Sequence, residues 1–132
     1  MATRSCIGIQ LPDESILSVY HHWDGYPEWL GRILKTHYNT KEKVSELIDG
    51  GDMSSCWNDN KEPEYYSARG ENCPPTLCKD LNEFLTHTDD NYGGEYAYHF
   101  VNGEWICHQV RCYSVDKHMV KQVEIPNGAL AV

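Results

Sequence analysis

Basic residues are scarce in this chain. It has 11 Lys and Arg against 20 Asp and Glu, a formal net charge of −9. A general binder of phosphate backbones needs clustered cations, so generic nucleic-acid binding is not expected. No acidic run is dense enough to imitate nucleic acid, and the excess charge serves solubility. Long apolar runs are missing as well. Nothing approaches the ~20 residues of a membrane span. The opening MATRSCIGIQ has no apolar leader segment. A cytosolic setting is expected, with the six cysteines as reduced thiols. Cys73/Cys78 and Cys107/Cys112 are spaced C-x4-C, not the C-x2-C of common zinc sites. Buried thiols, no metal and no cofactor are therefore expected. No P-loop, nucleophile elbow or H-E-x-x-H is present.

Phenylalanine is rare, with two residues, but there are nine Tyr and four Trp. These side chains join an apolar body to a polar handle. They suit pocket walls, interfaces and the rims of small cores. The 132 residues fit one domain with a modest core.

The alternation in RSCIGIQL and ILSVYHHW, separated by PDES, predicts a hairpin. Pairing Leu11 with Ile16 would put Ile7, Ile9 and Leu11 on one face with Ile16, Ser18, Tyr20 and His22. Leu17, Val19, His21 and Trp23 would take the other. Apolar residues on both faces suit a strand inside a covered sheet. Pro27 is placed for a first helical turn, and Trp29, Leu30, Ile33, Leu34 and Tyr38 follow at helical spacing. Thr40 can cap a second helix, with Val44, Leu47 and Ile48 as its stripe and Gly50-Gly51 as its stop. Residues 52–75 read as a long irregular region with a short strand around Glu64 to Ser67. Thr76 or Asp80 can cap a third helix bearing Leu77, Leu81, Phe84 and Leu85. Asn102-Gly103 between alternating runs predicts a type I′ hairpin. Its core face would hold Tyr96, Tyr98, Phe100, Trp105 and Cys107. Residues 112–132 would add an edge strand or an extended tail. The expected fold is α+β: an antiparallel sheet of two hairpins with about three helices packed against it.

HHWDGYP, His21 to Pro27, falls where a strand becomes a helix. Helix N-termini attract anions. His22, Trp23, Asp24 and Tyr26 could thus frame a pocket for a planar, anionic group. They could equally be a turn, a helix cap and a core tryptophan. Arg4 begins the first strand. Ser54 and Ser55 follow a helix end, and Arg69 and Glu71 lie beside tyrosines. Arginine suits bidentate recognition of phosphate or carboxylate.

These segments also carry a resemblance. ATRS-x-I-x-I, V-Y-x-HWDGYPE-x-x-G-x-x-L-x-x-HY, KV-x-x-LI-x-x-GD-x-SS, Y-x-x-RGE and the late EYAY and GEW are similar to a family of small, uncharacterised proteins of tailed phages and prophages. The likeness runs to about Val110. It implies phage origin and a host-cytoplasm setting, and no particular reaction. Its motifs fall on Arg4, His22, Trp23, Asp24, Gly25, Tyr26, Ser54, Ser55, Arg69 and Glu71. Where family members often have a second basic residue before RGE, this chain has Ser67 and Ala68.

Three functional classes stay open. One is a non-catalytic binding protein for host takeover, which traps a nucleotide-derived signal or inhibits a host protein. Another is a small hydrolase of a nucleotide or conjugate, using His22 with Asp24 or Glu71 as acid and base. The third is an interaction module whose aromatics form a dimer face. The partner is a small anionic ligand, a host protein or a second copy.

Overall fold

The structure, a computed structural model, describes residues 2–111 and 120–128. The chain is α+β, and its strands form one sheet. β1 (Ser5–Gln10) and β2 (Ile16–His21) are antiparallel neighbours at its centre. β3 (Met53–Ser55) continues the sheet beyond β2, and β4 (Glu64–Tyr65) lies beyond β3. β5 (Thr76–Cys78) also pairs with β2, at its opposite end. On the far side of β1 come β6 (Tyr96–Val101), β7 (Glu104–Gln109) and β8 (Lys121–Val123).

The all-antiparallel expectation is corrected here. β1 runs parallel to β6, and β2 runs parallel to β3. Each parallel pair joins strands far apart in the chain, with helices between them, as parallel connections require. The expectation for the first hairpin also shifts by one residue. Gln10, not Leu11, pairs with Ile16. Leu11 instead accepts from Glu14 N and donates to Ser15 O, and Glu14 takes the left-handed conformation at φ 71°. That five-residue loop puts Ile7 and Ile9 on the face of Leu17, Val19 and His21, because a one-residue slip reverses every side chain of a strand.

Helices cover both faces. Pro27–Gly31 forms a π-helical turn in which Arg32 N–H reaches back to the Pro27 carbonyl. It runs into α1 (Arg32–His37), and α2 (Lys41–Asp49) follows. The Thr40 hydroxyl accepts from Lys43 N and caps α2. Leu30, Ile33, Leu34, Val44, Leu47 and Ile48 close over Ile7, Ile9, Val19, Tyr98 and Phe100 in the larger core. α3 (Leu81–Tyr92), capped by Asp80 rather than Thr76, covers the opposite face. There Phe84 and Leu85 bury Cys6, Ile16, Cys78 and Ala97.

The second hairpin forms as expected. Val101 pairs with Glu104, Phe100 with Trp105, and Asn102 and Gly103 both have positive φ. Of the C-terminal segment, β8 pairs with β7 as an edge strand, and Ile125 is buried in the larger core. Residues 112–119 and 129–132, including Cys112, lie outside the described residues. Cys6, Cys56, Cys73, Cys78 and Cys107 are free thiols. Among the described residues, no helix is long and apolar enough to cross a membrane.

Candidate functional site

The corner after β2 is held from below. His22 N donates to the Met53 carbonyl and Trp23 N to that of Ser54, so β3 extends the β2 ladder by two residues. Asp24 then turns the chain with φ 57°. Gly25 N donates to Thr3 O at 2.8 Å, and Gly25 O accepts from the Tyr98 hydroxyl at 2.7 Å. A Cβ at Gly25 would stand 2.7 Å from the Thr3 carbonyl oxygen and 2.5 Å from Ser5 Oγ, so only glycine fits.

The two histidines separate by strand alternation. His21 points into the larger core and is 1% exposed. Its Nε2 accepts from Cys56 N at 3.0 Å, which leaves Nδ1–H to face Ser5 Oγ at 3.3 Å. Burial pushes its pKa down to about 3, so it is a neutral structural bridge. His22 faces the α3 side. Its Nδ1 lies 2.5 Å from the Tyr20 hydroxyl. Burial first, then the nearby Arg4 charge, lowers its pKa.

Trp23, His22, Tyr20 and Tyr92 form a continuous run of rings. Trp23 meets His22 edge-on at 4.6 Å, His22 meets Tyr20 at 5.8 Å, and Tyr20 stacks on Tyr92 at 4.5 Å. His87 closes the run against Tyr92. At the outer end Trp23 is 48% exposed, so it is not a core residue. Arg4 donates to the Tyr92 carbonyl at 3.2 Å, which holds its guanidinium beside the rings. Beneath them Asp52 accepts from Tyr20 N at 2.9 Å. Burial raises the Asp52 carboxyl, and burial pushes the Tyr20 hydroxyl up to about 12.

Trp23 also borders a groove of about 430 Å³ lined by Ser55, Trp57, Asn58, Asp59, Asn60 and Glu64. Arg69 lies at its far side. It pairs with Glu64 at 3.3 Å and sits over the Tyr66 ring. That is the one ion pair among the described residues, and both partners are about half exposed, so it contributes little to stability.

Of the sequence candidates, Arg4, His22 and Trp23 thus come together. Ser55 joins them across the groove, and Arg69 reaches it through Glu64. Glu71 is exposed beside Tyr66, whose hydroxyl it influences. Ser54 is buried at 4% exposure and serves the corner through its backbone. Asp24 is an exposed turn residue and does not cap the helix, since Tyr26 holds the cap position without a side-chain bond. The anion-attracting helix end is largely spent. Pro27 has no N–H, and Trp29 and Leu30 donate to the Tyr26 carbonyl. Sequence reasoning missed Tyr20, Asp52, Tyr66 and Tyr92. The period of two from Tyr20 to His22 was the available signal.

Fold and corner together give a small α+β protein with an aromatic, arginine-flanked corner at the end of β2. No family profile, curated protein or solved structure matches the chain.

Proposed function

We propose that the chain is a non-catalytic binding protein that captures a small planar molecule bearing an anionic group. The supporting observation is the run Trp23–His22–Tyr20–Tyr92, with an exposed indole at one end and Arg4 held on the Tyr92 carbonyl at the other, its charge felt by Tyr20 and His22. An aromatic base stacks on Trp23, and such stacking is worth about 1–3 kcal/mol. Ser55, Asn58 and Asn60 offer hydrogen bonds to its edge. Its phosphate turns towards Arg4, away from Asp59 and Glu64. Arg4 holds a carbonyl rather than a carboxylate, so its charge is less neutralised than that of Arg69. Capture of a nucleotide-derived signal fits host takeover by a phage protein acting in the host cytoplasm. The resemblance of the ATRS, HWDGYPE and RGE segments supports that setting.

The test is calorimetry with adenosine, adenosine monophosphate and a cyclic dinucleotide. Phosphate-bearing members are expected to bind. Trp23→Ala and Arg4→Ala should each weaken binding about ten- to a hundred-fold. Equal binding of adenosine and its monophosphate, or no binding up to millimolar ligand, would refute the reading. One observation favours an enzyme instead: the 2.5 Å contact between the Tyr20 hydroxyl and His22 Nδ1 is the geometry of an acid–base pair. Mass spectrometry of the recovered ligand decides between them, since a binder returns it intact.

A further inference from the structure

The groove beside Trp23 is unusual for an anion binder, because two of the residues that line it are acids. Its space of about 430 Å³ is bounded by Trp23 and Trp57 and by Ser55, Asn58, Asp59 and Glu64. That volume falls within the range of small-molecule clefts, about 300–1,000 Å³. Carboxylates repel a phosphate but accept from N–H groups. The acids therefore suit the base of a ligand whose phosphate lies towards Arg4.

The polar groups of the groove divide by role. Asn58 Oδ1 accepts from Asn60 N at 2.9 Å and from Glu62 N at 3.1 Å, so its amide is left with N–H donors. Ser55 Oγ accepts from Trp57 N at 3.3 Å, which leaves its O–H to donate. Glu64 is held by Arg69 at 3.3 Å. Asp59 lies on the exposed loop between β3 and β4 and makes no ion pair among the described residues. Its carboxylate is the one left open to a ligand. The groove thus combines neutral donors with a free acceptor of two oxygens.

A carboxylate takes two parallel N–H groups at once, as it does from a guanidinium. Among the common bases guanine alone sets two donors side by side, N1–H and the 2-amino group, with the O6 acceptor next to them. Adenine and cytosine put a bare ring nitrogen beside their amino group, and a carboxylate repels it. Uracil flanks its single N–H with two carbonyls. Guanine satisfies both halves of the groove, with N1–H and the amino group on Asp59 and O6 on Asn58 or Ser55.

We infer that the groove selects a guanine nucleotide and that Asp59 is the specificity-determining residue. This rests on the reading of Trp23 as the stacking platform for a planar, anionic ligand, and it adds the identity of the base. The sequence gave no sign of it, since Asp59 falls in the irregular region and outside the resembling motifs.

Calorimetry of the full chain with guanosine, inosine, adenosine and xanthosine monophosphates is the test. Guanosine monophosphate is expected to bind at least about tenfold more tightly than the adenosine compound, and than the inosine compound, which lacks only the 2-amino group. Asp59→Asn should weaken guanosine monophosphate by about tenfold. The same variant should come to prefer xanthosine monophosphate, because the new amide N–H donates to xanthine O2 while the amide oxygen accepts from N1–H. A substitution that merely deformed the groove would weaken both ligands alike, and that result would remove Asp59 from the role. Circular dichroism confirms that the variant folds, and the wild-type comparison of guanosine with inosine monophosphate needs no variant. Equal binding of the four nucleotides by the wild type, or a preference for adenosine monophosphate, would overturn the inference and leave the stacking reading standing. No binding of any of them up to millimolar concentration would overturn both.

Discussion

At the scale of single residues, burial decides what each histidine can do. His21 and His22 are adjacent in sequence, yet one is sealed between Cys56 and Ser5 and the other meets Tyr20 and Trp23. The sealed ones make folding depend on pH. The pKa of His21 falls from an ordinary 6.5 to about 3 on folding, and that of His99 to about 4. Between pH 6.5 and those values the unfolded chain takes up protons that the native chain refuses. Stability is therefore full above pH 6.5 and falls as pH drops, by up to about 1.4 kcal/mol per unit for each histidine. Asp52, raised by burial, opposes this near pH 4. Urea unfolding should show a plateau from pH 7 to 8 and a loss of about 2 kcal/mol or more per unit below pH 6. His21→Gln, whose amide oxygen can still accept from Cys56 N, should remove about half of that slope. A slope equal to that of the wild type would remove His21 from the account.

At the scale of elements, what could be read from sequence was what is local. The β6–β7 hairpin was legible because Asn102-Gly103 alone fits a turn needing positive φ at both central residues. The caps at Thr40 and Asp80 were legible because their oxygens find N–H groups three residues on. The β1–β2 register was not, because Leu11–Ser15 forms a five-residue loop through Glu14 in the left-handed region, which glutamate rarely enters. β3 and β5 are three residues each and exist through pairing with β2, a contact without local signal. The same limit hid the site. Tyr92 stacks on Tyr20 only after α3 crosses the sheet. Two substitutions probe these elements. Gly103→Val should cost about 1 kcal/mol or more by forcing a β-branched residue to φ 78°. Thermal unfolding measures it, and an unchanged midpoint would refute the turn. Gly25→Ala should cost about 2 kcal/mol, because the new methyl meets the backbone carbonyl of Thr3 and Ser5. It should also weaken ligand binding by displacing Trp23, which calorimetry on the folded variant would detect.

At the scale of the whole molecule, one sheet separates two cores of unequal size. Among the described residues the larger holds fifteen buried residues and the smaller seven. Cysteines report on both. Cys56 and Cys107 lie in the larger core, Cys6 and Cys78 in the smaller, each at no more than 1% exposure, while Cys73 is partly exposed in the loop before β5. Burial pushes Cys6, Cys56 and Cys107 up to about 12, so little thiolate forms and reaction must wait for opening. Opening need not be uniform, because regions with few buried contacts open at lower free energy than the whole. β5 is such a region. It is three residues long, pairs with β2 alone among the strands and leaves Leu77 58% exposed. Under native conditions a thiol reagent should modify Cys73 at once, then Cys78, and Cys56 and Cys107 only at the rate of global unfolding. Peptide mass spectrometry resolves each site. If Cys56 or Cys107 reacts before Cys78, the smaller core is the more durable one. The layer of α3 and β5, which backs Tyr20 and Tyr92, would then be the rigid wall of the aromatic corner rather than its first part to open.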